Sequence, residues 1–193
     1  MPWEKKFDQT QTLRRAMEAF WAHGYEGTSM QDLVDVTGVN RASLYATYGD
    51  KREFFLASLR EYDQTVRRRL MRELPTRFSP KEAITGLFTA FIEQLRMPKR
   101  NWGCLMTNTA LELSAHDLEI RSIVGAAQTD LENFFCEQII RGQRLGEIRG
   151  DLDAPHAARG LLASLLGFLV LVRSRPEEEL LNAVIGDVSA RLS

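Results

Sequence analysis

The sequence predicts an all-α protein: a three-helix amino-terminal unit joined by a long helix to a carboxy-terminal bundle, about nine helices in total. Three observations carry this. Apolar residues recur at helical spacing in almost every segment. Capping residues, Gly and Pro punctuate the segments at helix-length intervals. No run of about four to eight residues alternates polar with apolar cleanly enough for a strand.

Taken in order, the first helix is expected from about Phe7 to His23, with Leu13, Ala16, Met17 and Phe20 on one face. It stops at Gly24, a residue suited to a left-handed cap. A short second helix starts at Ser29, whose hydroxyl can cap free N–H groups while Asp32 stands three positions on. Its apolar side is Met30, Leu33 and Val34, and Thr37-Gly38-Val39 turns the chain into a third helix of about Arg41 to Thr47. Gly49 and Asp50 break that helix. Asp50 and Glu53 then frame a capping box for a long fourth helix running towards Glu73, with Pro75 as its stop. A fifth begins at Ser79, with Pro80 first and Glu82 third, and closes at about Arg96, before Pro98. Four more follow at about Trp102 to Ser114, Asp117 to Gly142, Pro155 to Arg173 and Glu177 to Leu192.

The Pro155 to Arg173 segment is apolar all round, which predicts burial on several sides. Its apolar stretch, Leu161 to Val172, is interrupted by Ser164 and falls short of the roughly 20 residues that cross a bilayer, so no membrane span is expected.

The 193 residues are 44% hydrophobic and 26% charged, which fits a globular fold and excludes disordered and fibrous classes. The net charge is −1, and residues 1–60 hold eight Lys and Arg against eight Asp and Glu, so any nucleic-acid surface must be local. Cys104 and Cys136 lack the spacing of a disulfide framework or zinc site, which suits a reducing, cytoplasmic location. The opening Trp3, Glu4, Lys5 and Lys6 lack the apolar core of a signal peptide. There is no phosphate-cradling glycine loop, nucleophile elbow or metal-spaced His cluster; His116 and His156 stand alone near helix starts. Neither an enzyme nor a metal or cofactor site is expected.

Two short helices joined by a turn containing Gly38, packed on an amphipathic first helix, form the pattern of a helix-turn-helix. The segment reads GYEGTSMQDLVDVTGVNRASLYATYGDKREFF. With Phe20, its Gly24, Tyr25, Thr28, Ser29, Leu33, Gly38, Val39, Leu44, Tyr45, Tyr48, Lys51 and Phe54 resemble the TetR-family amino-terminal signature over about residues 8–56. Tyr48 stands where the family more often has Phe, and Met30 and Val34 also depart from the commoner residues while keeping apolar character.

The resemblance implies a homodimeric repressor that binds a palindromic operator in double-stranded DNA and releases it when a small-molecule effector occupies the carboxy-terminal domain. The expected division is a DNA-binding domain at 1–49 and a ligand-binding and dimerisation domain at 50–193. Within the third helix Leu44 and Tyr48 share a face and are expected to pack inward, leaving Arg41, Ala42, Ser43, Tyr45 and Thr47 as reading candidates. Arg41 suits guanine or phosphate, Ser43 and Thr47 suit either, and Ala42 or Ala46 suits a thymine methyl. The resemblance makes Tyr45 and Lys51 phosphate contacts and puts Thr28 and Ser29 where a helix start meets the DNA backbone.

For the carboxy-terminal region the resemblance implies roles but few residues. Trp102, Cys104, Leu105, Asn108 and Glu112 mix apolar, thiol, amide and carboxylate groups as a lined cavity does, and are the ligand-binding candidates. Gly160, Ser164, Gly167, Phe168 and Leu171 are the dimerisation candidates, the small residues allowing a second helix to approach closely. Two alternatives stay open: a helical small-molecule-binding protein without DNA binding, and a thiol-based electrophile or redox sensor acting through Cys104.

Overall fold

The computed structural model describes residues 7–95 and 102–193, and among these there are helices and no strand. The amino-terminal unit is α1 (Gln9–His23), α2 (Met30–Thr37) and α3 (Arg41–Tyr48). The long helix α4 runs through Lys51–Tyr62, a π-helical turn Asp63–Arg67, and Arg68–Arg77. The bundle comprises α5 (Pro80–Leu95), α6 (Leu105–Glu112), α7 (Leu118–Arg144), α8 (Ala154–Ser174) and α9 (Glu178–Leu192). With α4 taken as one continuous helix, the described residues hold the expected nine.

Local chemistry explains the boundaries. The Asp8 carboxylate accepts from the Gln11 N–H at 3.1 Å, so α1 starts after Asp8 rather than at Phe7. Gly24 ends it at φ 79°, ψ 175°, a positive-φ conformation suited to glycine but not the left-handed cap expected. Ser29 and Asp32 form the full reciprocal capping box on α2, and Gly38 is its left-handed cap. At α4 only half of the expected box forms: Asp50 accepts from the Glu53 N–H at 2.9 Å, while the Glu53 carboxylate pairs with Arg52 at 3.1 Å.

Pro75 does not stop α4. It lies inside the last turn, where a missing N–H removes one helical bond without breaking the chain's course, and α4 ends only where Phe78 turns extended. The sixth helix begins at Leu105 instead of Trp102 because Gly103 takes φ 67° and Cys104 is extended. The expected close of α5 at Arg96, before Pro98, lies outside the described residues.

Two aromatic clusters hold the molecule. In the head, Phe20 of α1 meets Phe54 and Phe55 of α4 edge-on at 6.4 and 5.0 Å, all three being buried. In the body, Phe88 of α5 meets Phe168 of α8 edge-on at 5.3 Å and Phe135 of α7 at 6.4 Å. Phe168 is 1% exposed within a single chain, which removes it from the dimerisation candidates: the phase of α8 turns it inward with Leu161, Leu165 and Val172.

The π-helical turn has a partner on α7. It rotates Arg67 inward, where its guanidinium donates to the Ala127 carbonyl at 3.1 Å and to Asp130 at 2.8 Å while pairing with Asp63. A buried cation is tolerated because each side of its fork has an acceptor.

Within the single chain, the helix expected to be buried on several sides packs against α5, α7 and α9 and leaves one stripe exposed. α8 buries Ala158, Leu161, Leu165, Phe168 and Val172, whereas Gly160, Ala163, Gly167 and Val170 are exposed. Taken whole, Ala154–Ser174 is long and apolar enough to cross a membrane by length and composition, unlike the shorter stretch read from sequence. Its inward residues instead pack on α5, α7 and α9, as a core helix does.

Phe168→Ala should lower unfolding free energy by about 3–5 kcal/mol, read as a shift in the urea midpoint. Were Phe168 an interface residue, dilution would weaken association while the unfolding of the isolated protomer stayed unchanged.

Candidate nucleic-acid interface

The second and third helices present a surface whose outward residues are mostly polar or small, with Val36 and Tyr45 exposed among them, and whose inward residues close the head's core. Leu33 and Leu44 are fully buried, Val39 is 8% exposed, and Tyr48 stacks on Phe54 at 4.1 Å with its hydroxyl donating to the Gln9 carbonyl at 2.9 Å. These contacts lock the roll of α3. Arg41, Ala42, Tyr45 and Ala46 therefore point outward, and Ser43 and Thr47 are half-buried at the edges of that face. Tyr45 is 44% exposed, large for an aromatic, and makes no ring contact among the described residues.

Each expected contact has a definite place. Asn40 caps α3 by accepting from the Ser43 N–H at 2.9 Å, which fixes where the reading helix begins; this residue was not among the candidates, although Asn before a helical run is a recognisable start signal. The Arg41 guanidinium donates to the Gln31 side-chain carbonyl of α2 at 3.2 Å, and Gln31 in turn donates to Asp35 at 2.9 Å. Ser29 is exposed at the start of α2, its hydroxyl tied to Asp32, and these hydrogen bonds from Ser29 hold the Asp32 carboxyl below its ordinary range. The Lys51 ammonium lies 4.2 Å from the centre of the Tyr25 ring, a cation–π contact that keeps it at the first turn of α4.

Thr28 needs correction. Its side chain is fully buried and its hydroxyl donates to the Gly24 carbonyl at 2.7 Å, so it shapes the turn into α2 and offers nothing outward.

The head is joined to the body through α6 and its flanks. The Trp21 indole N–H donates to the Gly103 carbonyl at 3.0 Å, and Trp21 meets Tyr62 and Trp102 edge-on at 4.8 and 5.6 Å. Both oxygens of Glu112 accept backbone N–H groups of the head, from Tyr25 at 3.1 Å and Glu26 at 2.8 Å. On the other side Arg52 of α4 grips Asp117 at 2.8 Å and Glu119 at 2.9 Å at the start of α7, and Arg60 joins Glu119 at 2.9 Å. The Arg52 guanidinium, aided by N–H donors of α7, draws the Asp117 carboxyl down to about 2.

This seam absorbs most of the expected ligand site. Cys104 is 5% exposed and its sulfur accepts from the Tyr62 hydroxyl at 3.3 Å, a phenol that burial and the neighbouring thiol push well above its ordinary range. Leu105 is 1% exposed, and Trp102 is half-buried against Trp21. The structure therefore makes these three part of the joint. Asn108 donates to the Trp102 carbonyl at 2.9 Å, and it and Glu112 alone among the five candidates line an open cleft, with His23, Gly24, Leu111 and Arg173. Glu112, expected as a polar ligand contact, has its carboxylate occupied instead by the head.

Of the dimerisation candidates, Gly160 and Gly167 are exposed with open space where a Cβ would stand, and Ser164 and Leu171 are half-buried on the same helix. On α9, Ala183, Gly186 and Ala190 are likewise exposed. Two helices thus display small-residue faces.

Residues 13–58 match the family described as bacterial regulatory proteins, tetR family, and residues 80–185 match the Tetracyclin repressor-like, C-terminal domain. The chain is 37% identical to an uncharacterized HTH-type transcriptional regulator of Bacillus subtilis, YezE, over 88% of each chain. It is 29% identical to the HTH-type transcriptional repressor ComR of Escherichia coli, over 94% of this chain and 87% of ComR. A solved structure of the TetR family regulator CifR, a cysteine mutant complexed with 26-base-pair double-strand operator DNA, superposes with a TM-score of 0.84 at 27% identity, covering 97% of both chains.

The Arg52–Asp117 pair has a pH signature. Its carboxyl is held down in the folded state, so the stabilisation it provides is complete above the ordinary carboxylate range and is lost as pH falls towards about 2. Carboxyl NMR of the wild type should show Asp117 titrating near 2, and Arg52→Gln should return it towards the ordinary range; an unmoved titration would show that Arg52 is not the cause.

Proposed function

Because this chain belongs to the TetR family of bacterial transcriptional regulators, we propose that it represses transcription as a twofold dimer, its paired helix-turn-helix heads gripping an inverted-repeat operator until a small molecule binds the carboxy-terminal domain. One observation carries the DNA-binding half: α3 has its roll locked by Leu44 and Tyr48 and turns Arg41, Ala42, Tyr45 and Ala46 outward at the end of the molecule that the family assigns to DNA. A helix so oriented suits the major groove, and dimerisation repeats it at the second half-site.

In this reading Arg41 is the base reader, steadied by Gln31, because its planar fork matches the acceptors of guanine. Tyr45 and Lys51 take phosphates, with Ser29 and the start of α2 beside them. Ala42 offers a methyl to thymine, and Ser43 and Thr47 lie at the edge of the contact. The chain's net charge of −1 is compatible with this, since a few placed cations per half-site suffice when the dimer doubles them. We place the head at residues 1–49 and the body at 50–193, with α4 as the spine shared by both.

The small-residue faces of α8 and α9 support a four-helix dimer interface built from two copies, with Gly160, Ser164, Gly167 and Leu171 at its centre. The wetted apolar surface of α8 gives association its driving force. Release follows if the effector favours an arrangement of the body that changes the spacing of the heads. The protein then works in the cytoplasm, beside its operator.

Selection from a random DNA pool should return an inverted repeat. With that DNA, Arg41→Ala should cost about 1–3 kcal/mol and relax preference at one position of each half-site. Lys51→Ala should weaken all sequences alike and reduce the salt slope by about two for the dimer. Fluorescence anisotropy across a salt series measures both, and a protein whose affinity is indifferent to Arg41, Tyr45 and Lys51 substitution would refute the assignment.

A further inference from the structure

We propose that the cleft between α1, α6 and α8 is a binding site for a small organic monocarboxylate with an apolar body. The cleft is open to solvent, has a volume of about 380 Å³ and is lined by His23, Gly24, Asn108, Leu111, Glu112 and Arg173. That volume lies near the lower end of small-molecule pockets, about 300–1,000 Å³.

The chemistry of the lining selects the ligand. Arg173, in the last turn of α8, is exposed and has no carboxylate partner among the described residues, whereas the nearby Arg175 pairs with Glu177 at 3.5 Å. Arg173 and Asn108 converge on one turn: a Cβ built at Gly103 would stand 3.7 Å from the Cβ of Arg173 and 3.7 Å from the side-chain oxygen of Asn108. One N–H of the Asn108 amide is given to the Trp102 carbonyl, so the guanidinium is the charged donor for an anion, with the second Asn108 N–H beside it and His23 also in the lining. A planar guanidinium fork matches a carboxylate in two parallel hydrogen bonds. Glu112 lines the same cleft, but its carboxylate is turned to the head N–H groups and forms no ion pair with Arg173 among the described residues. Leu111 is 73% exposed, an apolar wall that a hydrocarbon chain or ring would cover.

The position gives such a ligand a consequence, which rests on the repressor reading above. A bound carboxylate brings a second negative charge into the cleft that holds Glu112, the group clamping the backbone of Tyr25 and Glu26. Like charges at close range weaken that clamp, so occupancy loosens the head and lowers operator affinity; by linkage, operator lowers carboxylate affinity by the same factor.

Calorimetric titration of the full-length protein with hexanoate and benzoate, and with hexanamide and benzamide as uncharged controls, tests the site. The carboxylates should bind and the amides should bind at least about tenfold more weakly, as loss of a charge-assisted pair requires. Arg173→Gln should weaken carboxylate binding about tenfold or more with its melting curve unchanged, and Arg175→Gln should leave it as in the wild type. No binding of either acid at about 10 mM, equal binding of the amides, or an unaffected Arg173→Gln variant would overturn the proposal. Operator binding by the ligand-free protein tests the repressor reading separately. Unchanged operator affinity in the presence of a carboxylate that binds through Arg173 would overturn the loosening of the clamp.

Discussion

The constraint on which the rest of the structure depends is the seam where α6 and its flanks meet α1 and α4. The Trp21 indole, the Tyr62 hydroxyl and the N–H groups of Tyr25 and Glu26 find their partners across it, in Gly103, Cys104 and Glu112. Trp21 and Tyr62 are buried, and parting the seam would expose their rings to water as well as break these hydrogen bonds, so head and body cannot part here cheaply. The head is therefore oriented by the body rather than tethered to it.

That coupling gives α4 its importance. Its first turns supply Phe54 and Phe55 to the core of the head, its middle carries Tyr62 to the seam, and its π-helical turn delivers Arg67 to Ala127 and Asp130 of α7. One helix thus takes part in both cores and in the joint between them. Helices α7 and α6 of the body contact the head's flanks directly, α7 through Asp117 and Arg52 at the start of α4 and α6 through Glu112 at the turn after α1. These are short polar contacts, which change partners more readily than packed aromatic rings do.

The two ends of the molecule solve opposite problems. At the head, two cations are held in place, Arg41 by Gln31 and Lys51 over the Tyr25 ring. On α8 and α9, the chain leaves small-residue faces uncovered while turning its large residues inward. The first arrangement suits a charged, wet partner and the second a close-packed copy of the same chain.

By itself the sequence determined the all-helical class, the order and approximate bounds of the helices, and the inward assignment of Leu44, because these follow from periodicity and capping within a few residues of chain. It also carried the signature of the head, since the turn at Gly38 and the caps Ser29 and Asp50 are local devices. Only the tertiary structure decided that Phe168 is core, that Thr28 is spent on a turn, and that Cys104 and Leu105 belong to a joint. Glu112 shows why: its partners lie 86 and 87 residues away, and nothing near it in the chain announces them. Helical phase places a residue on a face, but which neighbour covers that face depends on how distant helices pack.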